Sequence, residues 1–305
     1  MKQLIKYGWD TYFEFCYDEY FRKNASKENF TAGRVAVQNK NNYILYAQAG
    51  ELTAEISGKF YFNSENDEDM PVVGDWVIIR TIIEEKKALI EHVLPRKNKF
   101  SRNSAGIKTD EQIIVANIDS IFIMTSLNLE LNLRRLERYL TLAWDNQINP
   151  VILLSKSDLC GDYQETLASI ESIAFNTPIH AVSSVTGLGI DELYLYFKNN
   201  STVAVTGSSG VGKSTLINKL NHNHKLKVND ISSYKDKGKH TTTRREMFML
   251  PGGGMIIDNP GMRELQLWES SEGLSGVFAD IEEYLDKCKF TDCKHDSEPG
   301  CAVRG

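Results

Sequence analysis

A glycine-rich segment lies between an apolar run at 202–206 and a run with helical spacing at 216–220. Its residues are Gly207, Ser208, Ser209, Gly210, Val211, Gly212, Lys213, Ser214 and Thr215. They match G-x-x-x-x-G-K-[ST] in a strand–loop–helix context, where backbone N–H groups converge on an anion at a helix N-terminus. In such loops the lysine reaches the β- and γ-phosphates, and the next hydroxyl ligates Mg²⁺. The segment predicts a nucleotide site that holds Mg²⁺ at Ser214.

Two polar segments that follow other apolar runs have the residue types that recognise guanine. The first segment is Ser155, Lys156, Ser157 and Asp158, and the second is Ser183 and Ser184. The Asp158 carboxylate can accept both N–H donors on the Watson–Crick edge of guanine, where adenine presents the opposite pattern. Lys156 can lie over the base, and a backbone N–H at 183–184 can donate to O6. A helix-capping loop would also explain the first segment alone, but beside the phosphate loop we favour GTP.

Two segments after the phosphate loop supply groups for Mg²⁺ and the γ-phosphate. Asp258 and Gly261 belong to a D-x-P-G motif, in which the carboxylate suits Mg²⁺ and the glycine N–H suits the γ-phosphate. The basic segment 237–245 contains three consecutive threonines, of which Thr243 is our candidate Mg²⁺ ligand. A solvated loop is the alternative for this segment, and its threonines argue against that.

Hydrolysis needs a group that orients the attacking water, and many GTPases place a glutamine directly after D-x-x-G. Met262 occupies that position here, and a thioether cannot do this. His240, beside the threonines, is the nearest candidate in sequence, with a solvated loop histidine as the alternative. Our candidate catalytic residues are therefore His240, Lys213 and Thr243. We expect slow intrinsic hydrolysis that rises when a partner orders the switch segment.

The order of these motifs differs from that of ordinary small GTPases, in which the phosphate loop comes first. Here the guanine-reading segments, 155–158 and 183–184, precede the phosphate loop, the threonines and D-x-P-G. Because the termini of such folds tend to lie close together, a circular permutation can keep the same sheet. We therefore predict a circularly permuted GTPase domain.

The last residues of the sequence contain a cluster of zinc-ligand types: Cys288, Cys293, His295 and Cys301. Three thiolates and one imidazole match one closed, tetrahedral, structural Zn²⁺ site with no open position for catalysis. A module this short cannot bury a core by itself, so zinc would supply its folding energy. Free thiols on a surface loop are the alternative.

The elements that must position these motifs follow two patterns. Continuous apolar runs at 121–124, 151–154, 178–182 and 202–205 alternate with helical spacing, which predicts a parallel α/β sheet. Five short β-prone runs between 34 and 94 predict a small barrel. An OB-type barrel fits them, and from the pattern alone a barrel of another topology fits as well.

We predict a multidomain protein with an N-terminal OB-type β-barrel, a circularly permuted P-loop α/β GTPase domain and a C-terminal zinc-binding module. The expected segments are an N-terminal extension at 1–33, the barrel at 34–95, a basic linker at 96–112, the GTPase domain at 113–264 and the zinc-binding domain at 265–305.

The composition excludes several classes of protein. The 305 residues are 41% hydrophobic and 25% charged, which allows buried cores and excludes wholesale disorder. The sequence has neither a membrane-helix run nor the apolar core of a signal peptide, so we expect a cytoplasmic protein with no membrane partner. The net charge of −6 argues against a nucleic-acid partner, but basic residues gather at 96–102 and 235–245 and allow one.

The chain resembles the circularly permuted GTPases of small-ribosomal-subunit biogenesis, the RsgA or YjeQ type, over nearly its whole length. The resemblance rests on the phosphate loop, the cysteine cluster, P-x-V-G-D-W at 71–76, G-K-H-T-T-T at 238–243 and D-N-P-G-M-R-E at 258–264. It implies an enzyme that binds the 30S subunit and its 16S rRNA late in assembly and hydrolyses GTP when the subunit stimulates it. It also implies that His240 acts in hydrolysis, that the decoding region is checked and that another assembly factor is released. We expect a monomer.

The sequence departs from the family pattern at two places. Ser155 replaces an asparagine that normally ties the guanine-reading segment to the phosphate loop, so we expect a lower affinity with unchanged selectivity. The family usually continues for several tens of residues beyond its last zinc ligand. This sequence ends shortly after Cys301, so we expect a helix that belongs there to be missing or trimmed.

Two other functions stay open from the sequence. A P-loop ATPase or small-molecule kinase would prefer ATP in competition with GTP, and Asp158→Asn would not change its preference. A non-enzymatic RNA-binding module that uses the nucleotide only for stability would still bind and release 30S subunits after Lys213→Ala.

Overall fold

The computed structural model describes residues 2–23, 30–40, 42–64, 66–103, 111–127, 131–208, 210–221 and 245–258. The chain divides into two units, Met1–Leu265 and Gln266–Gly305, and the second lies outside the described residues. Among the described helices, none is long and apolar enough to cross a bilayer.

The N-terminal residues form a 3₁₀ helix (Lys2–Tyr7) and helix α1 (Thr11–Lys23). One face of α1 is buried, including Phe13, Tyr17 and Phe21, and the Trp9 ring meets the Trp76 ring edge-on at 4.7 Å. These residues pack on the outer face of the barrel strands, in a core that also contains Ile78 of the barrel and Ile121 of the α/β sheet. The predicted extension at 1–33 thus contains a helix with one buried face.

Five strands close into the predicted barrel: β1 (Phe30–Gln38), β2 (Tyr43–Ala47), β3 (Gly50–Ile56), β4 (Trp76–Ile82) and β5 (Lys87–Val93). They pair in the order β1-β2-β3-β5-β4, and β4 pairs back onto β1. Helix α2 (Gly58–Asn63) lies between β3 and β4, and the Ser57 hydroxyl caps it by accepting from the Phe60 N–H. A closed barrel of five strands is typical of the OB fold.

The predicted linker at 96–112 is wrong for its first residues, because the barrel binds Arg96. The Arg96 guanidinium donates to both oxygens of buried Asp75, each at 2.8 Å, and to the Glu68 and Met70 carbonyls. Lys99–Asn103 then forms β6, which pairs antiparallel with β7 (Glu111–Ala116). The basic composition suggested exposure, but a carboxylate distant in sequence neutralises Arg96.

The second part of this unit is the predicted α/β sheet, in the order β10-β9-β8-β11-β13-β12. Its strands are β8 (Ser120–Ser126), β9 (Asn149–Ser155), β10 (Ile179–Val182), β11 (Thr202–Gly207), β12 (Arg245–Met249) and β13 (Met255–Asp258). All neighbours are parallel except β12, which is antiparallel to β13. The helices are α3 (Leu133–Asp145), α4 (Gln164–Glu171), α5 (Ile190–Leu193), continued by a 3₁₀ stretch to Asn200, and α6 (Lys213–Leu220).

Helices on both faces explain the continuous apolar runs. Along β8, Ile121 and Ile123 enter the core that contains α3, whereas Phe122 and Met124 enter the core that contains α6. A strand buried on both faces needs apolar residues at every position. The sheet begins in sequence at β8 and reaches the phosphate-loop strand β11 only after β9 and β10, as the predicted permutation requires.

Arg34 is a buried charge where the N-terminal segment, the barrel and the sheet meet. It is 2% exposed, and its guanidinium donates to the carbonyls of Tyr7, Gly74 and Asn117. Burial lowers the pKa of Arg34 to about 10, against the opposing charge of Asp119, so the side chain stays ionised at neutral pH. Three carbonyls from three segments thus share one donor group.

Gly74 gives a direct test of this junction. We expect Gly74→Ala to destabilise the protein by about 3 kcal/mol or more, because φ is +98° and the new Cβ would lie 1.9 Å from the Ala116 carbonyl oxygen. Gly50→Ala is the matched control, since φ is +100° but nothing lies within 4 Å of its Cβ. It should cost only about 1–2 kcal/mol of backbone strain. Urea unfolding measures both, and equal losses would contradict the predicted clash.

Candidate nucleotide-binding site

The predicted nucleotide-binding segments meet at the carboxyl edge of the parallel sheet. Ser155 at the end of β9 is paired with Val182 at the end of β10. Gly207 at the end of β11 lies opposite Met124 of β8. Asp258 ends β13, the neighbour of β11 on the other side in the sheet. The strands that follow β8 in the sequence, β9 and β10, lie on one side of the β8–β11 pair, and those that follow β11 lie on the other side. Open α/β sheets bind ligands in the crevice at such a point.

The phosphate loop joins β11 to α6. Gly207, Gly210 and Gly212 all have positive φ angles, and a Cβ at Gly207 would lie 2.3 Å from the Met124 carbonyl oxygen. The Lys213 ammonium donates to the carbonyls of Gly207 and Ser208, each at 2.8 Å. The lysine therefore lies across the loop, and the exposed Ser214 and Thr215 start α6 beside it. Val211 faces the core below the loop.

The first guanine-reading segment turns sharply after β9. Lys156 adopts a left-handed conformation with φ 59° and ψ 38°, and Ser157–Leu159 then forms one 3₁₀ turn. Ser157 is buried in this turn, whereas Asp158 is exposed. The turn thus presents the carboxylate at the sheet edge, where it can meet a base.

Ser155 connects this segment to the phosphate loop. Its hydroxyl lies 2.7 Å from the Val211 carbonyl oxygen and 3.1 Å from that of Thr125, and it donates to either. Ser155 thus keeps a connection between the two segments, and the lower affinity expected from the missing asparagine stays a prediction. The serine is short, but the end of β9 lies close enough to the phosphate loop for a hydroxyl to replace the amide.

The second guanine-reading segment is a tight loop after β10. The Ser183 hydroxyl accepts from the Thr186 N–H, and the Ser183 carbonyl accepts from the Gly187 N–H. Among the loop hydrogen bonds of the described residues, none uses the N–H of Ser184. The contact of Ser183 and Ser184 with the guanine O6 stays a prediction, for which the Ser184 N–H is the suitable donor.

Asp258 lies beside the phosphate loop with its carboxyl group half-buried. Burial raises the pKa of this carboxyl, and the nearby Lys213 ammonium opposes that rise. Oxygen ligands from a carboxylate and a hydroxyl are those that Mg²⁺ prefers, so the donor groups of Asp258 and Ser214 suit that ion. Several predicted site residues lie outside the described residues: Ser209, His240, Thr243, Gly261, Cys288, Cys293, His295 and Cys301.

The sequence reasoning missed Tyr139 of α3. Tyr139 is buried, and its phenol is hydrogen-bonded to the side chain of Thr206, the residue before the first loop glycine. Burial raises the pKa of Tyr139, so its hydroxyl stays protonated. The sequence could have indicated this contact, because Tyr139 places a hydroxyl on the apolar face of the helix that Leu136, Leu140 and Ala143 form.

We expect Ser155→Ala to lower the affinity for GTP about fivefold to tenfold, because it removes one hydrogen bond and leaves a buried carbonyl without that donor. Ser157→Ala is the control within the same segment. The Ser157 hydroxyl is buried without a hydrogen-bond partner among the described residues, so its removal should leave affinity unchanged. Titration with a fluorescent GTP analogue measures both variants. Equal losses would mean that the connection to Val211 has no special role.

Comparisons with known proteins agree with this geometry. The family model described as RsgA GTPase matches residues 93–268. A relative from Lactiplantibacillus plantarum, named small ribosomal subunit biogenesis GTPase RsgA 2, is 43% identical over 99% of this chain and 82% of its own length. A relative from Opitutus terrae, named small ribosomal subunit biogenesis GTPase RsgA, is 39% identical over 99% of this chain and 83% of its own length.

Solved structures show the same architecture. The crystal structure of YjeQ from Thermotoga maritima is 28% identical, and the match covers 90% of each chain with a TM-score of 0.62. The crystal structure of YloQ, a circularly permuted GTPase, shares the fold at 23% identity over 92% of this chain and 89% of its own, with a TM-score of 0.57. The phosphate loop, the guanine-reading segments and the permuted strand order are thus found in a chain that belongs to the RsgA GTPase family and hydrolyses GTP.

Proposed function

We propose that this GTPase acts late in the assembly of the small ribosomal subunit, and that it binds the 30S subunit and its 16S rRNA. The observation that carries the proposal is the similarity, over almost the whole chain, to relatives named for small ribosomal subunit biogenesis. An OB-type barrel joined to the GTPase sheet supports it, because such barrels commonly bind nucleic acids.

GTP turnover with and without 30S subunits tests the proposal. We expect 30S subunits to raise the turnover at least about tenfold, since a partner can complete a GTPase site that lacks the water-orienting glutamine. The 50S subunits are the matched control for bulk RNA. An equal rate with 30S subunits, with 50S subunits and without either would overturn the proposal.

The proposed reaction gives a role to each predicted site residue, although Thr243 and His240 lie outside the described residues. Lys213 exchanges the carbonyls of Gly207 and Ser208 for phosphate oxygens, which are stronger acceptors because they are charged. Ser214 and Asp258, with Thr243, would hold Mg²⁺, which neutralises charge on the phosphates. Asp158 and the Ser184 N–H select guanine. His240 is the proposed residue for orienting the attacking water.

We propose a cycle of binding and release in which GTP is hydrolysed while the protein is bound to the 30S subunit. The GTP-bound form docks, checks the decoding region, promotes release of another assembly factor and leaves after hydrolysis. Sedimentation with 30S subunits tests whether binding to the subunit depends on the bound nucleotide. Co-sedimentation should be stronger with a non-hydrolysable GTP analogue than with GDP, and equal binding would contradict the cycle.

We also propose that residues 265–305 form a zinc-binding domain of a cytoplasmic, monomeric protein, with one Zn²⁺ held by Cys288, Cys293, His295 and Cys301. The donor set supports this, because three thiolates and an imidazole suit a structural zinc site. Metal analysis should find one zinc per chain, and Cys293→Ser should lose most of it. Unchanged zinc in that variant would exclude this ligand set.

A further inference from the structure

Strand β12 connects the barrel to the nucleotide site. Glu246 of β12 lies opposite Val37 of barrel strand β1, and also opposite Asp258 of β13 on its other side. Asp258 in turn lies opposite Val205 of β11, the strand that leads into the phosphate loop. Hydrogen-bonded strand pairs therefore lead from the barrel to the candidate Mg²⁺ ligand with only β12 between them.

The contact between β1 and β12 is short. Its register contains only the pairs Val37↔Glu246 and Gln38↔Arg245 within the described residues. A pairing of this length resists little motion by itself, because few hydrogen bonds fix the two strands. A second connection between the barrel and β12 would therefore matter for how firmly they move together.

Tyr46 of β2 provides that second connection. Its hydroxyl donates to the Met247 carbonyl of β12 at 3.1 Å, and its ring stacks on Tyr7 at 5.0 Å with an interplanar angle of 16°. Burial raises the pKa of Tyr46 above its usual range, so the hydroxyl remains protonated and can donate at neutral pH. Met247 itself is fully buried in the core, so its carbonyl is held in place.

We propose that Tyr46 is a positioning residue for subunit-stimulated GTP hydrolysis, which it supports by fixing β12 to the barrel. The proposal rests on the proposed function, in which the barrel contacts the 30S subunit. A displacement of the barrel on docking would reach Asp258 through β12.

The test compares Tyr46→Phe with Tyr17→Phe and with the unaltered full-length protein. Tyr17 is the matched control because its hydroxyl also donates to a backbone carbonyl, that of Phe30 at 3.2 Å, at the opposite end of β1 from β12. We expect Tyr46→Phe to reduce the stimulation of kcat by 30S subunits about fivefold, the effect of one lost hydrogen bond, with KM for GTP unchanged. Tyr17→Phe should keep the stimulation within about twofold, and thermal unfolding compares the stabilities of the two variants.

The possible outcomes separate the inference from the proposed function. If the unaltered protein is stimulated and Tyr46→Phe is stimulated equally, the inference is overturned while the proposed function stands. An equal fall in both variants, or a change in KM as large as that in kcat, would mean a structural role for Tyr46 and overturn the inference. If 30S subunits fail to stimulate the unaltered protein, the proposed function is overturned, and the inference falls with it.

Discussion

Asp158→Asn is expected to lower the affinity for GTP about a hundredfold and to raise the affinity for xanthosine triphosphate. Guanine presents two N–H donors to the carboxylate, whereas xanthine replaces one of them with an acceptor oxygen. An asparagine side chain has one donor and one acceptor, so it mismatches guanine and complements xanthine. Hydrogen bonds to a charged group contribute about 1.5–3 kcal/mol each, which sets the expected loss.

Competition binding with GTP, xanthosine triphosphate and ATP measures this change in selectivity. Asp162→Asn is the control, because Asp162 is exposed in the same loop and its Oδ1 accepts from the Gln164 N–H, which an asparagine oxygen also does. That variant should bind GTP normally. An Asp158→Asn protein with unchanged preference for GTP would show that guanine is read elsewhere.

Lys213→Ala is expected to reduce GTP hydrolysis about a thousandfold, because it removes the cation that stabilises charge on the transferred phosphoryl group. A second effect adds to the first. The Lys213 ammonium opposes the burial that raises the pKa of Asp258, so its loss lets that pKa rise further. The carboxylate needed for Mg²⁺ would then be protonated at a higher pH, and the defect should deepen as the pH falls.

Single-turnover hydrolysis across a range of pH measures both effects. Lys198→Ala is the control, because Lys198 is exposed and precedes β11 at the opposite edge of the sheet. It should hydrolyse GTP normally at every pH. A Lys213→Ala protein with full activity would exclude the assigned role of this lysine, and a defect independent of pH would exclude its effect on Asp258.

Local patterns predicted most of the sheet. The runs at 121–124 and 151–154 are apolar at every position, and the structure buries β8 and β9 on both faces for that reason. The order of the motifs was sufficient to predict the permutation, because each motif must follow a particular strand. Strand β12 was not predicted, since Arg245 to Met249 mixes charged and apolar residues as an outer strand of the α/β sheet does.

Contacts between residues that are distant in the sequence could not be predicted from these local patterns. Arginine is usually exposed, yet the side chains of Arg34 and Arg96 are hydrogen-bonded to groups from distant segments of the chain. The connection at Ser155 depends on a distance of 2.7 Å between two loop ends, which no spacing in the sequence encodes. Charge and residue type are visible along the chain, whereas the partner that satisfies them depends on the folded geometry.

The joint between the barrel and β12 also has a consequence for synthesis of the chain. Tyr46 and Met247 are separated by 201 residues, which take about 10–40 s to add at roughly 5–20 residues per second. The barrel pairs its own strands within residues 30–93 and can close early, but its joint to β12 must wait for the phosphate loop to be made. Proteolysis of nascent chains stalled before residue 245 and at the end of the sequence should therefore show the N-terminal segment becoming more protected only in the longer chain. A growing chain thus cannot join its barrel to β12 until the phosphate loop has been made.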